Sequence, residues 1–281
     1  MKIAISVDSA GDIRGALQEK YNIFTIPFPV TLGEEVLFDD GKSVTPSKIV
    51  EFVNETGKLP RTSAINIVEF EEYFKNILKK GYDAIIHITI SGEVSGTLSI
   101  AKIAAEKFEN VKVIDSRGLA IAEGLIAIKA AEAVNEGKDF GGVMATVTEA
   151  IEKVKISFVV KDVLYLHKGG RCSGLAMMVS NMLKLKPRIV LSDGKMCSGK
   201  KYRGNYEEVL KVFTQDFLKE NNPDKTRVAV EYTTCEQKIV KAIKTQLKEY
   251  GFKEIIEVTA GATITCHCGP DTFGFAFFNQ D

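Results

Sequence analysis

The sequence predicts an α/β fold: a parallel sheet with flanking helices in the first half, joined to an α+β layer in the second. Three observations carry this expectation. Apolar runs of strand length alternate with helical patterns through the first half. A hairpin pattern and antiparallel signals take over in the second. The 281 residues exceed one average domain. The expected division is residues 1–156 as an N-terminal α/β domain and 157–281 as a C-terminal α+β domain, with the terminal strand able to pack back near the first.

KIAISVD is a buried-strand run that ends in the polar stretch Asp8-Ser9-Ala10-Gly11-Asp12, and a helix-like segment follows from Ile13 to Tyr21. After the apolar stretch FTIPFPVTL comes a turn at Asp39-Asp40-Gly41. Thr45 caps a helix whose first position is Pro46, where a missing N–H costs nothing. Asn66 with Glu69 forms a capping box for VEFEEYFKNILKK, stopped by Gly81. DAIIHITI and VKVIDS are the next strands, and GLAIAEGLIAIKAAEAVNEG is a helix. In the second half PRIVL, the turn Ser192-Asp193-Gly194 and KMCSGKKYR read as a hairpin. Helices from Tyr206 to Glu220 and Glu236 to Tyr250 separate it from strands around EIIEVTAGATITCHCG and FGFAFF.

Composition narrows the function. With 37 basic and 37 acidic side chains the chain has no general attraction for nucleic acid or an anionic membrane. The start is too brief in its apolar stretch for a signal peptide, and no later run reaches spanning length, so a cytoplasmic protein is expected. Five cysteines (Cys172, Cys197, Cys235, Cys266, Cys268) include no CxxC pair and read as reduced thiols. Cys266-His267-Cys268 resembles a metal cluster, but strand alternation would point the cysteines one way and the histidine the other, so no metal is expected.

Polar runs fall where parallel sheets collect ligands, at the carboxyl ends of strands. They are Asp8-Ser9, Arg61-Thr62-Ser63, Ser91-Gly92-Glu93-Val94-Ser95-Gly96-Thr97 and Asp115-Ser116. Each also suits ordinary helix capping. SGEVSGT is the most informative, because its glycines admit a ligand near the backbone and its hydroxyls can donate to a carboxylate or phosphate. Walker, GxGxxG and GxSxG patterns are absent from these loops. Of three histidines, His87 lies in an apolar strand and reads as core, while His167 precedes the Lys168-Gly169-Gly170-Arg171 turn. His267, followed by a glycine-proline turn, is the strongest functional candidate. Arg171 and Arg203, each beside glycine, would present guanidinium groups suited to a carboxylate, a phosphate or a partner.

In order along the chain, VDSAGD, RTS, SGEVSGT, VIDS, LYLHKGGR, KKYRG and HCGPDTFGF resemble the DegV family over essentially the whole length. The resemblance implies a DegV-like two-domain fold that buries a long-chain fatty acid such as palmitate, with no cofactor. It also implies a carrier rather than an enzyme: the acyl-carrying subunit of a bacterial fatty acid kinase system, with a separate ATP-binding subunit making the acyl phosphate for phospholipid synthesis. The family's TSxPS motif falls on Thr62-Ser63 and continues here as Ala64-Ile65-Asn66. SSxLSGT falls on Ser91 to Thr97, with Gly92 in place of its second serine. HxGPGxxG falls on His267, Gly269, Pro270 and Gly274, with Asp271 in place of a glycine. The resemblance thus makes Thr62, Ser63, Gly92, Ser95 and His267 the expected head-group contacts, while the glycine turns beside Arg171 and Arg203 make those two the expected kinase-docking or head-group supports. Two other classes fit the same loops: an acyl hydrolase using Ser95 and His267, and a module binding a phosphate-containing metabolite.

Overall fold

The computed structural model describes residues 1–171 and 185–280. Cys172 lies outside the described residues. The apolar run β1 (Ile3–Asp8) is buried at every position. It sits inside a parallel sheet with β2 (Ile23–Ile26), β6 (Ala84–Thr89) and β7 (Val111–Asp115), in the order β2-β1-β6-β7. Strands covered on both faces are apolar throughout rather than alternating, which is why β1 and β6 were legible. The helices flanking this sheet include α1 (Ala16–Tyr21), α3 (Ile67–Lys79), α4 (Thr97–Ala105) and α5 (Ile121–Asn135). The capping box of α3 is present, with Asn66 and Glu69 bonded to each other's backbone. α2 (Pro46–Thr56) starts as expected from Thr45 and Pro46.

The stretch FTIPFPVTL contributes to two sheets. Its first part is β2; its second, β3 (Pro29–Leu32), centres a small antiparallel sheet with β4 (Glu35–Phe38) and β5 (Arg61–Thr62). Val30, Leu37 and Thr62 stand in one row across it and share a face. That face packs on Ile49 of α2 and on Ala262 and Cys266.

The second sheet is mostly antiparallel. β8 (Val154–Val159), β9 (Lys186–Ser192), β10 (Lys195–Tyr202), β11 (Pro223–Tyr232), β12 (Glu254–Thr259) and β13 (Phe273–Asn279) run in the order β10-β9-β8-β13-β11-β12. Of these neighbours only β11 and β12 are parallel. Residue 157, where the sequence divides the chain, lies within β8. The terminal strand β13 is central, its phenylalanines alternating between two cores. Phe273, Phe275 and Phe277 pack with Phe213 and Phe217 of α8 (Tyr206–Lys219) and Ile243 of α9 (Gln237–Tyr250). Ala276 and Phe278 face the other way, into the core shared with α5, α6 (Phe140–Lys153) and the first sheet. α5 thus lies between the two sheets and is buried nearly all round, which explains its weak amphipathicity.

One expectation is overturned. ATITCHC, read from its β-branched residues as strand, is the helix α10 (Ala262–Cys268). Its first N–H groups are held from a distance, Gly261 by Asp12 and both Ala262 and Thr263 by Asp39, so tertiary hydrogen bonds override local propensity. Gly269, at φ 74°, ends it. Successive side chains therefore point about 100° apart rather than to opposite faces. Among the described residues no group of three or more His, Cys, Asp or Glu could hold a metal ion, and no helix is long and apolar enough to cross a membrane.

Candidate functional site

α10, β5 and the short helix α7 (Leu164–Lys168) meet around one cavity. β5 turns Thr62 toward α10, where its Oγ1 lies 2.8 Å from Nε2 of His267. The opposite ring nitrogen, Nδ1, is buried and has no hydrogen-bond partner among the described residues. Gly169 lets the end of α7 come this close, since a Cβ there would lie 2.7 Å from that Nδ1. Gly269 does the same from α10, where a Cβ would lie 2.5 Å from the Tyr165 ring.

Burial lowers His267 to about 4, and the nearby Arg171 guanidinium adds to the effect. At neutral pH the imidazole is therefore uncharged, and with the Thr62 hydroxyl it can pass a hydrogen bond to an acceptor. Arg171 supplies the positive charge. It lines the same cavity and donates to the carbonyl oxygen of Gly169 at 2.6 Å. Ser95 is the fourth polar member. Its Oγ donates to Thr97 Oγ1 at 2.9 Å and accepts the Thr97 N–H, the first of α4, at 3.2 Å.

The rest of the wall is mainly apolar, including Phe28, Ile90, Leu119, Leu166 and Ile264. The cavity measures about 50 Å³, and a second one of about 20 Å³ shares Leu119, Ile264 and Cys268 with it. The second is lined also by Ile156 and Phe158 of β8, so the pair extends from the polar residues toward the second sheet. Two larger grooves, about 410 and 390 Å³, are lined by many charged side chains and hold none of the expected site residues.

The structure therefore brings Thr62, Ser95, Arg171 and His267 together and leaves three expected residues outside the cavity wall. Ser63 is exposed, with its N–H donated to the carbonyl of Pro29. The Gly92 N–H donates to Asp115 Oδ1 at 3.3 Å, and a side chain at 92 would press on Leu98, 2.7 Å from a Cβ. Arg203 is exposed just after β10. His87 is core as expected, buried and bonded through Nδ1 to Ser6 Oγ at 2.8 Å.

Sequence reasoning missed the residues that seat α10. Asp39, 1% exposed, accepts from the N–H groups of Ala262 and Thr263 at 2.9 and 3.0 Å. Arg14 and the Ser9 hydroxyl donate to the same carboxylate. Asp39 looks locally like a turn residue, and its partners on α10 lie more than 220 positions away. No nearby pattern marks it.

The family description that matches the chain, over residues 2–280, is "Uncharacterised protein, DegV family". A protein of Thermotoga maritima named fatty acid-binding protein is 30% identical over 287 residues, spanning 98% of this chain and 97% of its own. A DegV family protein from Thermus thermophilus, described for its fatty acid binding, superposes with a TM-score of 0.89 at 27% identity over the full length of both chains. DegV of Bacillus subtilis, described as a fatty acid binding protein, gives 0.84 at 28% identity, also over both full lengths.

Proposed function

Because this chain belongs to the DegV family, we propose that it binds a long-chain fatty acid such as palmitate, with the carboxylate at Thr62, Ser95, Arg171 and His267. The observation that carries this reading is the Thr62–His267 pair at the polar end of an apolar cavity leading between the sheets. Burying a sixteen-carbon tail is worth on the order of ten kcal/mol before ordering costs. A carboxylate at the mouth needs donors, since an unsatisfied buried anion is costly. Thr62 and the neutral His267 offer hydrogen bonds, and Arg171 offers charge.

A carrier fits the geometry better than a hydrolase. The Ser95 hydroxyl is bonded to Thr97, while the imidazole that would activate it is bonded to Thr62. We propose further that the bound carboxylate is presented to a separate ATP-binding kinase subunit for acyl-phosphate formation, in the cytoplasm and toward phospholipid synthesis. Exposed Arg203, together with Arg171, would form part of the docking surface. Organic extraction and mass spectrometry of the purified protein test the lipid assignment: one fatty acid per chain supports it, and no lipid after saturating exposure to palmitate refutes it. Arg203→Ala should slow acyl-phosphate formation with the kinase while bound lipid stays; loss of lipid instead would remove Arg203 from the docking role.

A further inference from the structure

Beyond the head-group site lies a cluster of buried acids that fatty-acid binding alone does not require. Asp8 ends β1, Asp12 follows the 3-10 turn Ser9–Gly11, Glu123 lies in the first turn of α5, and Glu231 is on β11. Asp8, Asp12 and Glu123 are fully buried and Glu231 is 6% exposed. Glycines allow the approach. A Cβ on Gly11 would lie 3.3 Å from the Glu123 carboxyl carbon, and one on Gly124 would lie 2.4 Å from the carbonyl oxygen of Gly11.

Donors do not suffice for these acids. Asp8 accepts the N–H groups of Ala10 at 3.0 Å and Ile90 at 2.9 Å. Asp12 Oδ1 accepts from Gly261 at 2.8 Å and faces Arg14 Nη2 at 3.0 Å. Glu231 Oε2 accepts from Ile121 at 2.9 Å. Both Glu123 oxygens, Asp12 Oδ2 and Glu231 Oε1 remain buried without a hydrogen-bond partner among the described residues. The side chains of Asp8 and Glu123 are within hydrogen-bonding reach of each other, as are those of Asp12 and Glu231. Two facing carboxylates repel; one shared proton turns the contact into a hydrogen bond. A metal ion is the other way to neutralise such a cluster, but these side chains do not converge on a metal-binding geometry.

We propose that Asp8 with Glu123, and Asp12 with Glu231, are proton-sharing carboxyl pairs that latch the end of β1 to α5 and to β11 beside the acyl cavity, so that lipid retention falls as the pairs lose their protons. The lipid half of this statement rests on the fatty-acid reading above. Glu231 lines the second cavity together with Leu119, Ile264 and Cys268, and Asp12 holds the start of α10, which carries His267. When a pair deprotonates, the O–H bond of one carboxyl breaks and its proton passes to solvent. Two anions then face each other across the seam between α5, β11 and the end of β1.

The surroundings favour retaining the protons. Burial pushes Asp8 up to about 7 and holds Glu123 and Asp12 well above the ordinary carboxylate range. Asp39 and Asp115 add negative charge facing the first pair, beside the half-buried Tyr73. The second pair faces Asp39, the Arg14 guanidinium and the Cys268 thiol.

Glu123→Gln and Glu231→Gln test the latch in the full chain, because an amide donates without a titrating proton. Infrared difference spectra at about pH 7.5 should show protonated carboxylic acids in the unaltered protein and weaker absorption in each variant. Their absence from the unaltered protein would overturn proton sharing whether or not the variants fold. Transfer of bound palmitate to phosphatidylcholine vesicles should accelerate severalfold between about pH 6 and 10 in the unaltered protein, and less in either variant. A flat profile in the unaltered protein would overturn the latch. A chain that takes up no palmitate at any pH would refute the fatty-acid reading instead, and the infrared bands would still decide the proton sharing.

Discussion

Thr62 Oγ1 and His267 Nε2 lie 2.8 Å apart although 205 positions separate the residues in sequence. Thr62 belongs to the edge of the small sheet, and His267 to a helix seated by Asp39 from the loop after β4. The contact therefore depends on two anchors, the row Val30–Thr62 and the Asp39 carboxylate.

Thr62→Val removes the hydroxyl while keeping the shape. It should weaken palmitate binding about tenfold, the worth of one hydrogen bond near a charged group. Thr62→Ser should bind nearly as well as the unaltered protein. Equilibrium titration with a fluorescent fatty acid, displaced by palmitate, reads both; equal weakening by serine and valine would show that the methyl group matters instead.

Gly169→Ala places a methyl group 2.7 Å from His267 Nδ1 and 2.9 Å from the Tyr165 carbonyl oxygen. Overpacking of this kind costs about 1–3 kcal/mol, and here it should also reduce lipid affinity by moving the imidazole. Gly96→Ala, with nothing within 4 Å of its Cβ, is the matched control and should leave stability nearly unchanged. Urea unfolding of the two variants makes the comparison.

Ile264 lines both cavities. Ile264→Phe should narrow the passage between them and weaken palmitate more than octanoate, because a short tail need not pass the constriction. Calorimetric titration with both acids gives the ratio; equal weakening would place the tail elsewhere.

Acid should destabilise the protein through two histidines. Burial lowers His267 to about 4 and His87 to about 3, both below the ordinary histidine value. The unfolded chain then binds more protons across that interval, so this stability is present above about pH 6.5 and is lost as pH falls toward 4 and 3. Asp8 acts oppositely: its carboxyl is raised to about 7, so its contribution declines as pH rises from the ordinary carboxylate value of about 4 toward 7. Melting temperatures of His87→Asn and the unaltered protein between about pH 4 and 7 should converge at the acid end. A constant difference across that range would remove His87 from the acid sensitivity.

Where elements obey local rules, the sequence was informative. β1, β6 and β7 showed as apolar runs, and the caps at Thr45 and Asn66 stand where their residue types demand. Thr62, Ser95 and His267, which line one cavity, were singled out through motif resemblance and through their places near element ends. Three things were not legible. α10 is made a helix by hydrogen bonds that its first N–H groups donate to Asp12 and Asp39, and β-branched composition pointed the other way. Gly92 spends its N–H on Asp115, a partner 23 residues on. The proton-sharing acids Asp8 and Asp12, Glu123, and Glu231 come from three separate segments, and no window of sequence contains a pair facing across the seam.

Palmitate labelled with carbon-13 at its carboxyl group tests the head-group assignment most directly. Bound to the unaltered protein, its carboxyl resonance should be displaced from that of the ligand in solution, and Thr62→Val and His267→Gln should each move it while tail resonances stay. A carboxyl resonance indifferent to both substitutions, with palmitate still bound, would contradict the placement of the head group at Thr62 and His267.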